Sequence, residues 1–405
     1  MGYRKDAING ISWMVFLRGI TRSLTFVRLA ILGRILTPTE FGYFGIATLL
    51  LSLLEILTET GINVFLVQEK KNINEYINSA WVVSILRGVV LGIIIFLAAP
   101  FIASFFQSPE AAGVIALTAL VPLIRGFINP AIISYQKDLL FRKEFSMRSF
   151  LFLVDVSISI MAGFMFRSAQ SFTWGLIASA LVEVILSYVL IPLWPKLVFE
   201  TDKIKHVITK GWWVTLTGIF LYFADNGDNI TVGKILGSGS LGIYQVAYKF
   251  STLPISEITS VVNSVIFPVF SRFSEDKARL RNAFIKVTVG TTVGSLVLGT
   301  TIFIFAGPLI TLFMGNQWGA AIPIVQVLVV YGVLRTLFGN FPPLFLSVGN
   351  QNYAAQMTLA RLIGLAIFII PLVTHFGMIG AGYAMLISML FEIPVILFFA
   401  KKVLY

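Results

Sequence analysis

GRILTPTEFGYF at 33–44 and GKILGSGSLGIY at 233–244 share one pattern two hundred residues apart. Aligned without gaps at that shift, Gly33 meets Gly233, Arg34 meets Lys234, Ile35-Leu36 meets Ile235-Leu236, and Gly42 meets Gly242. Trp13, Ala47 and Asn63 likewise meet Trp213, Ala247 and Asn263. Farther along, Ala99-Pro100 parallels Gly307-Pro308 at a shift of 208, and Arg125 parallels Arg335 at 210. The chain therefore reads as two halves of one design, 1–200 and 201–405.

Composition says what surrounds these halves. Of 405 residues, 57% are hydrophobic and 12% charged, with mean hydropathy +0.89. A soluble domain carries about 25% charged residues, so this chain cannot coat a water-facing globule. A cytosolic enzyme and a nucleic-acid binder are both excluded on that ground, in spite of a net charge of +11. Cys is absent, and the two His, His206 and His375, have no ligand spacing, so no metal site is expected. Nor is there a GxxxxGK[ST], HExxH or GxSxG motif. No cofactor is implied.

A membrane crossing needs about 20 mainly apolar residues. Such runs lie at 11–36, 41–66, 80–106, 112–134, 147–166, 172–194, 209–236, 241–269, 285–313, 318–346, 355–375 and 379–400. The first is too long for a signal-peptide core and lacks a small-residue cleavage site, so it is expected to stay in the mature protein. Six runs fall on each side of the repeat boundary, giving both halves the same orientation. The expected fold is all-α: a polytopic membrane protein with twelve transmembrane helices in two six-helix lobes related by a parallel repeat. Transporters built this way hold substrate near the midplane at the repeat interface.

Loop charge sets orientation. The N-terminus, the even-numbered loops and the C-terminus, with their borders, hold nineteen of the thirty Lys and Arg; the odd-numbered loops hold one, Arg167. Basic loops stay inside, so both termini are expected to be cytoplasmic. Each Trp falls within a few residues of a proposed span end, as an aromatic belt requires. The odd loops are only a few residues long, which leaves no outer domain for a membrane ligase or polymerase. The inner stretch 270–286 (SRFSEDKARLRNAFIKV) reads either as an amphipathic helix on the membrane surface or as a solvated basic loop.

Ionisable residues within spans mark function or a buried partner. Arg18 and Arg22 share one helix face, Arg28 stands about 80° around it, and Glu55 and Glu59 share a face of the next span. Around the Pro38–Thr39 turn, Arg22 matches Glu55 in depth and Arg18 matches Glu59. Two readings follow: structural ion bridges, or a charged wall lining an aqueous cavity where the arginines take a phosphate bidentately. In the second half Asp228 matches Lys249 in depth, Asp225 lies one turn from Asp228, and Gln245, Lys249, Thr252 and Ser256 form a polar stripe. Arg361 and Glu392 match in the last hairpin and read as a structural pair. Asp155 and Glu183 match with like charge. Either one holds a proton, or Arg87 or Arg125 neutralises them.

ILGRILTPTEFGYFGIATL (31–49), DNITVGKILGSGSLGIYQVAYKFSTLP (228–254) and FPVFSRFSEDKARLRNAF (267–284) resemble the signatures of the polysaccharide transporter, or oligosaccharide flippase, family. The likeness is strongest to its colanic-acid and teichuronic-acid exporter type, within the multidrug/oligosaccharidyl-lipid/polysaccharide exporter superfamily. Asp228, Gly233, Gly237, Gly242 and Tyr244 match the second signature. The resemblance implies two six-helix lobes around a central cavity. It also implies outward flipping of undecaprenyl-diphosphate-linked oligosaccharide across the bacterial or archaeal cytoplasmic membrane for surface polysaccharide assembly. Many relatives have fourteen spans, against twelve read here.

The expected function is therefore flipping by alternating access without ATP hydrolysis, and the protein is not expected to be an enzyme. Arg18, Arg22, Arg28, Arg125, Arg335 and Lys249 are the candidate substrate contacts. Asp225, Asp228, Glu55 and Glu59 are candidate ion-coupling groups or structural pairs. Membrane lipids, a proton or sodium ion, and a polysaccharide polymerase or glycosyltransferases are the candidate partners; nucleic acid is not. A cation-coupled multidrug exporter of the same superfamily is the alternative within transport, and a membrane ligase or polymerase the alternative outside it.

Overall fold

The computed structural model describes residues 2–58, 74–137, 140–191, 193–198 and 212–404, and every regular element among them is helical. The chain divides into two compact units, Met1–Ile219 and Phe220–Tyr405.

Unit one opens with α1 (Gly2–Ile35) and α2 (Pro38–Leu57). Between them Thr37 is extended and its Oγ1 accepts from Glu40 N at 3.3 Å. Pro38 takes the first helical position, where a missing N–H costs nothing. The Glu40 carboxylate also accepts from Ala169 N, tying this turn to the start of a later helix. Next come α3 (Asn74–Phe105), α4 (Ala111–Thr118), α5 (Leu120–Arg125) and α6 (Ser134–Lys137). The unit closes with the hairpin of α7 (Phe141–Phe166) and α8 (Gln170–Val189). A methyl group at Gly175 of α8 would lie 2.5 Å from the Asp155 carbonyl oxygen of α7, so these two helices meet backbone to backbone.

Unit two is built on α9 (Trp212–Arg272) from Phe220 onward, and the two arms of this helix fold back at Gly237 (φ 83°, ψ 175°). It continues through α10 (Lys277–Ile304), α11 (Ala306–Met314), α12 (Ala321–Phe338) and α13 (Phe341–Ser347). The last element, α14 (Gln351–Leu404), folds back at Gly377 (φ 61°, ψ −142°), bringing Tyr353 onto Phe399 with ring centroids 3.9 Å apart. Only glycine adopts such backbone angles without strain.

Seven helical segments among the described residues are long and apolar enough to cross a membrane, and Ala111–Arg125 is apolar but shorter. Their outward faces expose large apolar side chains, among them Phe96, Phe101, Phe164 and Met165 in unit one and Val297, Ile304, Leu397 and Phe398 in unit two. Such a surface suits hydrocarbon and not water. The chain is a multi-pass membrane protein.

The structure redraws several boundaries. The run 112–134 is not one helix: it bends at Ala119, ends at Arg125, and resumes as a 3-10 turn over Pro130–Ile133. Pro122 and Pro130, which have no N–H, break the hydrogen-bond ladder there. The run 318–346 divides likewise around Gly339 and Asn340, and 285–313 divides at Phe305. The stretch 270–286 is neither a separate surface helix nor a loop. It is the end of α9, a short turn capped by Asp276 onto Arg279 N at 3.0 Å, and the start of α10. Phe270, Leu280 and Phe284 are buried there with Leu344, Phe345 and Met357.

Candidate functional site

Among the described residues, both units hold charged side chains among their apolar helices. In unit one, Arg28 of α1 meets Asp155 of α7 at 2.7 Å, and Ser159 Oγ donates to the same carboxylate at 3.2 Å. The Arg28 guanidinium also lies 5.7 Å from the ring centroids of both Phe152 and Phe172. This pair is nearly closed off, with side-chain exposures of 14% and 7%.

Arg125, at the end of α5, stands in a looser setting. It faces Glu55 of α2 at 3.4 Å and Glu183 of α8 at 3.8 Å, and its side chain is 39% exposed. Beside it Arg87 of α3 donates to the Glu55 carbonyl at 2.8 Å and to Thr58 Oγ1 at 3.0 Å. That arrangement leaves a partly open guanidinium that can trade a long carboxylate contact for an incoming anion.

In unit two, Arg335 of α12 donates to Asp225 at 3.1 Å and to Tyr248 Oη at 2.7 Å, both on α9. Arg361 of α14 reaches the same Asp225 oxygen at 3.4 Å and Glu392 at 3.5 Å. One helical turn on, Asp228 is fully buried. Its carboxylate accepts from Tyr244 Oη at 2.8 Å, from Asn229 N at 2.8 Å and from Asn229 Nδ2 at 3.0 Å.

Glu55 meets Arg125 rather than the depth-matched Arg22 among the ion pairs of the described residues. Arg18 is half-buried and Arg22 exposed on α1, and Glu59 lies outside the described residues. The partners of Asp228 are Tyr244 and Asn229, where depth matching pointed to Lys249. Matched numbering fixes height along two arms but not rotation. Lys249 lies five residues past Tyr244, about 140° around the helix. Arg361 and Glu392 do meet as their depth requires. Glu183 is met by Arg125, one of the two arginines considered for it, whereas Asp155 is met by Arg28. Arg361 as a partner of Asp225, and Tyr244 and Tyr248, were not legible as site residues. Tyr244 lies within the signature stretch 228–254, four residues before Tyr248, and that is the signal the sequence offers.

Ionisable groups held inside an all-helical membrane fold mark a functional site by default. The solved structure titled lipid II flippase MurJ, inward closed conformation, has this fold: TM-score 0.80 at 15% identity, covering 95% of this chain and 87% of that one. The chain itself belongs to the family described as polysaccharide biosynthesis protein, whose profile matches residues 31–323. It is 26% identical to teichuronic acid biosynthesis protein TuaB of Bacillus subtilis over 86% of this chain and 73% of that protein. It is 24% identical to lipopolysaccharide biosynthesis protein WzxC of Escherichia coli K12 over 89% of this chain and 72% of that protein.

Proposed function

We propose that this protein is a flippase that moves undecaprenyl-diphosphate-linked oligosaccharide outward across the bacterial or archaeal cytoplasmic membrane for surface polysaccharide assembly. The observation that carries the reading is Arg125: a side chain 39% exposed, its guanidinium held loosely by Glu55 and Glu183 inside an apolar bundle, in a member of the polysaccharide biosynthesis family. Away from the span ends, unit one carries Arg18, Arg22, Arg28, Arg87 and Arg125 against Glu55, Glu59, Asp155 and Glu183, an excess of cation. Unit two carries Lys249, Arg335 and Arg361 against Asp225, Asp228, Glu257 and Glu392, an excess of acid. The diphosphate is accordingly assigned to Arg18, Arg22 and Arg125 of unit one. Arg28 fixes α1, which carries the first two, by holding Asp155.

The reading includes twelve crossings in two six-helix lobes, 1–200 and 201–405, related by a parallel repeat, with both termini cytoplasmic. Backbone geometry supports the repeat independently of side chains. The positive-φ residues Gln107 (52°) and Arg167 (48°) correspond to Gly315 (96°) and Gly377 (61°) at shifts of 208 and 210. Those are the shifts at which Pro100 parallels Pro308 and Arg125 parallels Arg335.

No covalent bond changes in the proposed cycle. A proton or sodium gradient acting through the unit-two carboxylates Asp225 and Asp228, or product removal by a polymerase or glycosyltransferase, supplies the drive. Deleting the gene tests the function: lipid-linked oligosaccharide should accumulate on the inner leaflet, and wild-type protein should clear it. Surface polysaccharide made normally without the gene and without such accumulation would reject the proposal.

A further inference from the structure

Between the second arm of α9 and α12 lies a cavity of about 420 Å³, lined by Tyr248, Thr252, Ser256, Thr259, Arg335 and Thr336 among others. That volume is in the range of small-molecule sites, about 300–1,000 Å³. From Tyr248 to Thr259 it follows one face of α9 for about 16 Å at 1.5 Å per residue. Five of the lining side chains are hydroxyls and one is charged.

Four of the five hydroxyl protons are committed inside the protein; the fifth hydroxyl, Tyr248 Oη, accepts from Arg335. Thr252 donates to the Tyr248 carbonyl at 2.6 Å and Ser256 to the Leu253 carbonyl at 3.0 Å. Thr259 donates to Thr336 Oγ1 at 3.1 Å, and Thr336 to the Gly332 carbonyl at 3.1 Å. What these four oxygens offer to the cavity is lone pairs, so the lining asks for a ligand rich in donors.

The charged member is also spent. Arg335 binds Asp225 and Tyr248 at short range, Asp225 is shared with Arg361, and Arg361 reaches Glu392. Arg335 is held at 2.7 and 3.1 Å, closer than the 3.4 and 3.8 Å contacts of Arg125, so an incoming phosphate displaces its partners less readily. A diphosphate brings negative charge and few donors, and would meet acceptor oxygens. A sugar ring brings several O–H donors and no charge. We infer that this cavity in unit two is the carbohydrate subsite, taking neutral sugar residues of the cargo by their hydroxyl donors, while the diphosphate is held elsewhere.

This inference rests on the flippase reading, and the test separates the two. The chain has no Cys, so Ser256→Cys, at an exposed lining position, gives one thiol in the cavity. Its labelling by a maleimide is followed in the purified full chain with three additions: lipid-linked oligosaccharide extracted from the native host, undecaprenyl diphosphate without sugar, and sodium chloride. Only the sugar-bearing lipid should slow labelling. Thr252→Val, which keeps shape and removes one acceptor, should weaken binding of that lipid about tenfold, the size of one lost buried hydrogen bond, and leave undecaprenyl diphosphate binding within about twofold. Equal protection by undecaprenyl diphosphate, protection by sodium chloride alone, or no protection by the sugar-bearing lipid each overturns the subsite. If the deletion strain accumulates no lipid-linked oligosaccharide, the flippase reading itself has failed, whatever the labelling shows.

Discussion

Arg28 Nη1 lies 2.7 Å from Asp155 Oδ2, an ion pair that joins the first helix to one beginning more than a hundred residues later. Both side chains are nearly closed to solvent. Removing one partner of a buried pair strands the other and costs about 3–5 kcal/mol, whereas removing both costs far less. Arg28→Gln should therefore sharply reduce the amount of folded protein in the membrane, and Arg28→Gln with Asp155→Asn should recover most of it. Immunoblots of membranes and size-exclusion profiles in detergent measure this. A single variant as abundant as wild type would remove the structural role from the pair.

Arg125 should behave differently, because its contacts to Glu55 and Glu183 are longer and its side chain is 39% exposed. Arg125→Gln should keep membrane abundance within about twofold, since a loose, half-exposed pair contributes little to stability. Export should nevertheless be lost, with lipid-linked oligosaccharide accumulating as in the deletion. Glu55→Gln, which frees the guanidinium from one carboxylate, should retain export. If Arg125→Gln exports normally, the diphosphate does not use this residue.

The contrast between these arginines shows where the sequence stopped being readable. Arg361 and Glu392 sit on the two arms of one hairpin, so equal distances from the Gly377 turn bring them together. The same arithmetic put Lys249 opposite Asp228 but could not see rotation about the helix axis, and Tyr244 holds that place. Arg28 with Asp155, Arg125 with Glu55, and Arg335 with Asp225 join helices that are not consecutive. Nothing in a single chain's periodicity fixes which non-consecutive helices touch. Apolar length and loop glycines are local properties, which is why the helices themselves were legible. The bends near Gly126 and Gly339 were signalled by neighbouring prolines, yet an apolar run masks a bend because hydropathy is indifferent to it.

Tyr244 and Asp228 offer a sharper test of unit two. With Tyr244→Phe, the buried Asp228 carboxylate keeps only the two donors of Asn229. Loss of one hydrogen bond to a buried charged group costs about 1.5–3 kcal/mol. The purified variant should unfold at a lower temperature than wild type when followed by Trp fluorescence, and Asp228→Asn with Tyr244→Phe should lose little more than the single change. Unaltered unfolding of Tyr244→Phe would mean that this bond does not hold the hairpin.

Orientation is open to a direct check in this Cys-free chain. Ala278 and Pro109 are both exposed, near the start of α10 and in the turn before α4. In intact cells an impermeant maleimide should label Pro109→Cys and spare Ala278→Cys, and permeabilising the cells should expose both. The reverse pattern would invert the proposed topology.

The repeat makes one last prediction, about backbone strain. Arg167 and Gly377 stand at corresponding turns, 210 residues apart, and both have positive φ. Arg167 caps α7 in the left-handed region at φ 48°, ψ 40°, which costs a side-chain-bearing residue about 1 kcal/mol that glycine does not incur. Gly377 is at φ 61°, ψ −142°, where a β-carbon is strained by about 1–3 kcal/mol. The two substitutions should therefore move stability in opposite directions. Arg167→Gly should raise the unfolding temperature slightly, the relief at the turn exceeding the extra freedom of the unfolded chain, while Gly377→Ala should lower it. A methyl group at Gly377 meets nothing within 4 Å, so crowding cannot account for the loss. The pair isolates backbone conformation from packing. Equal and small effects of both changes would mean that these turns relax freely.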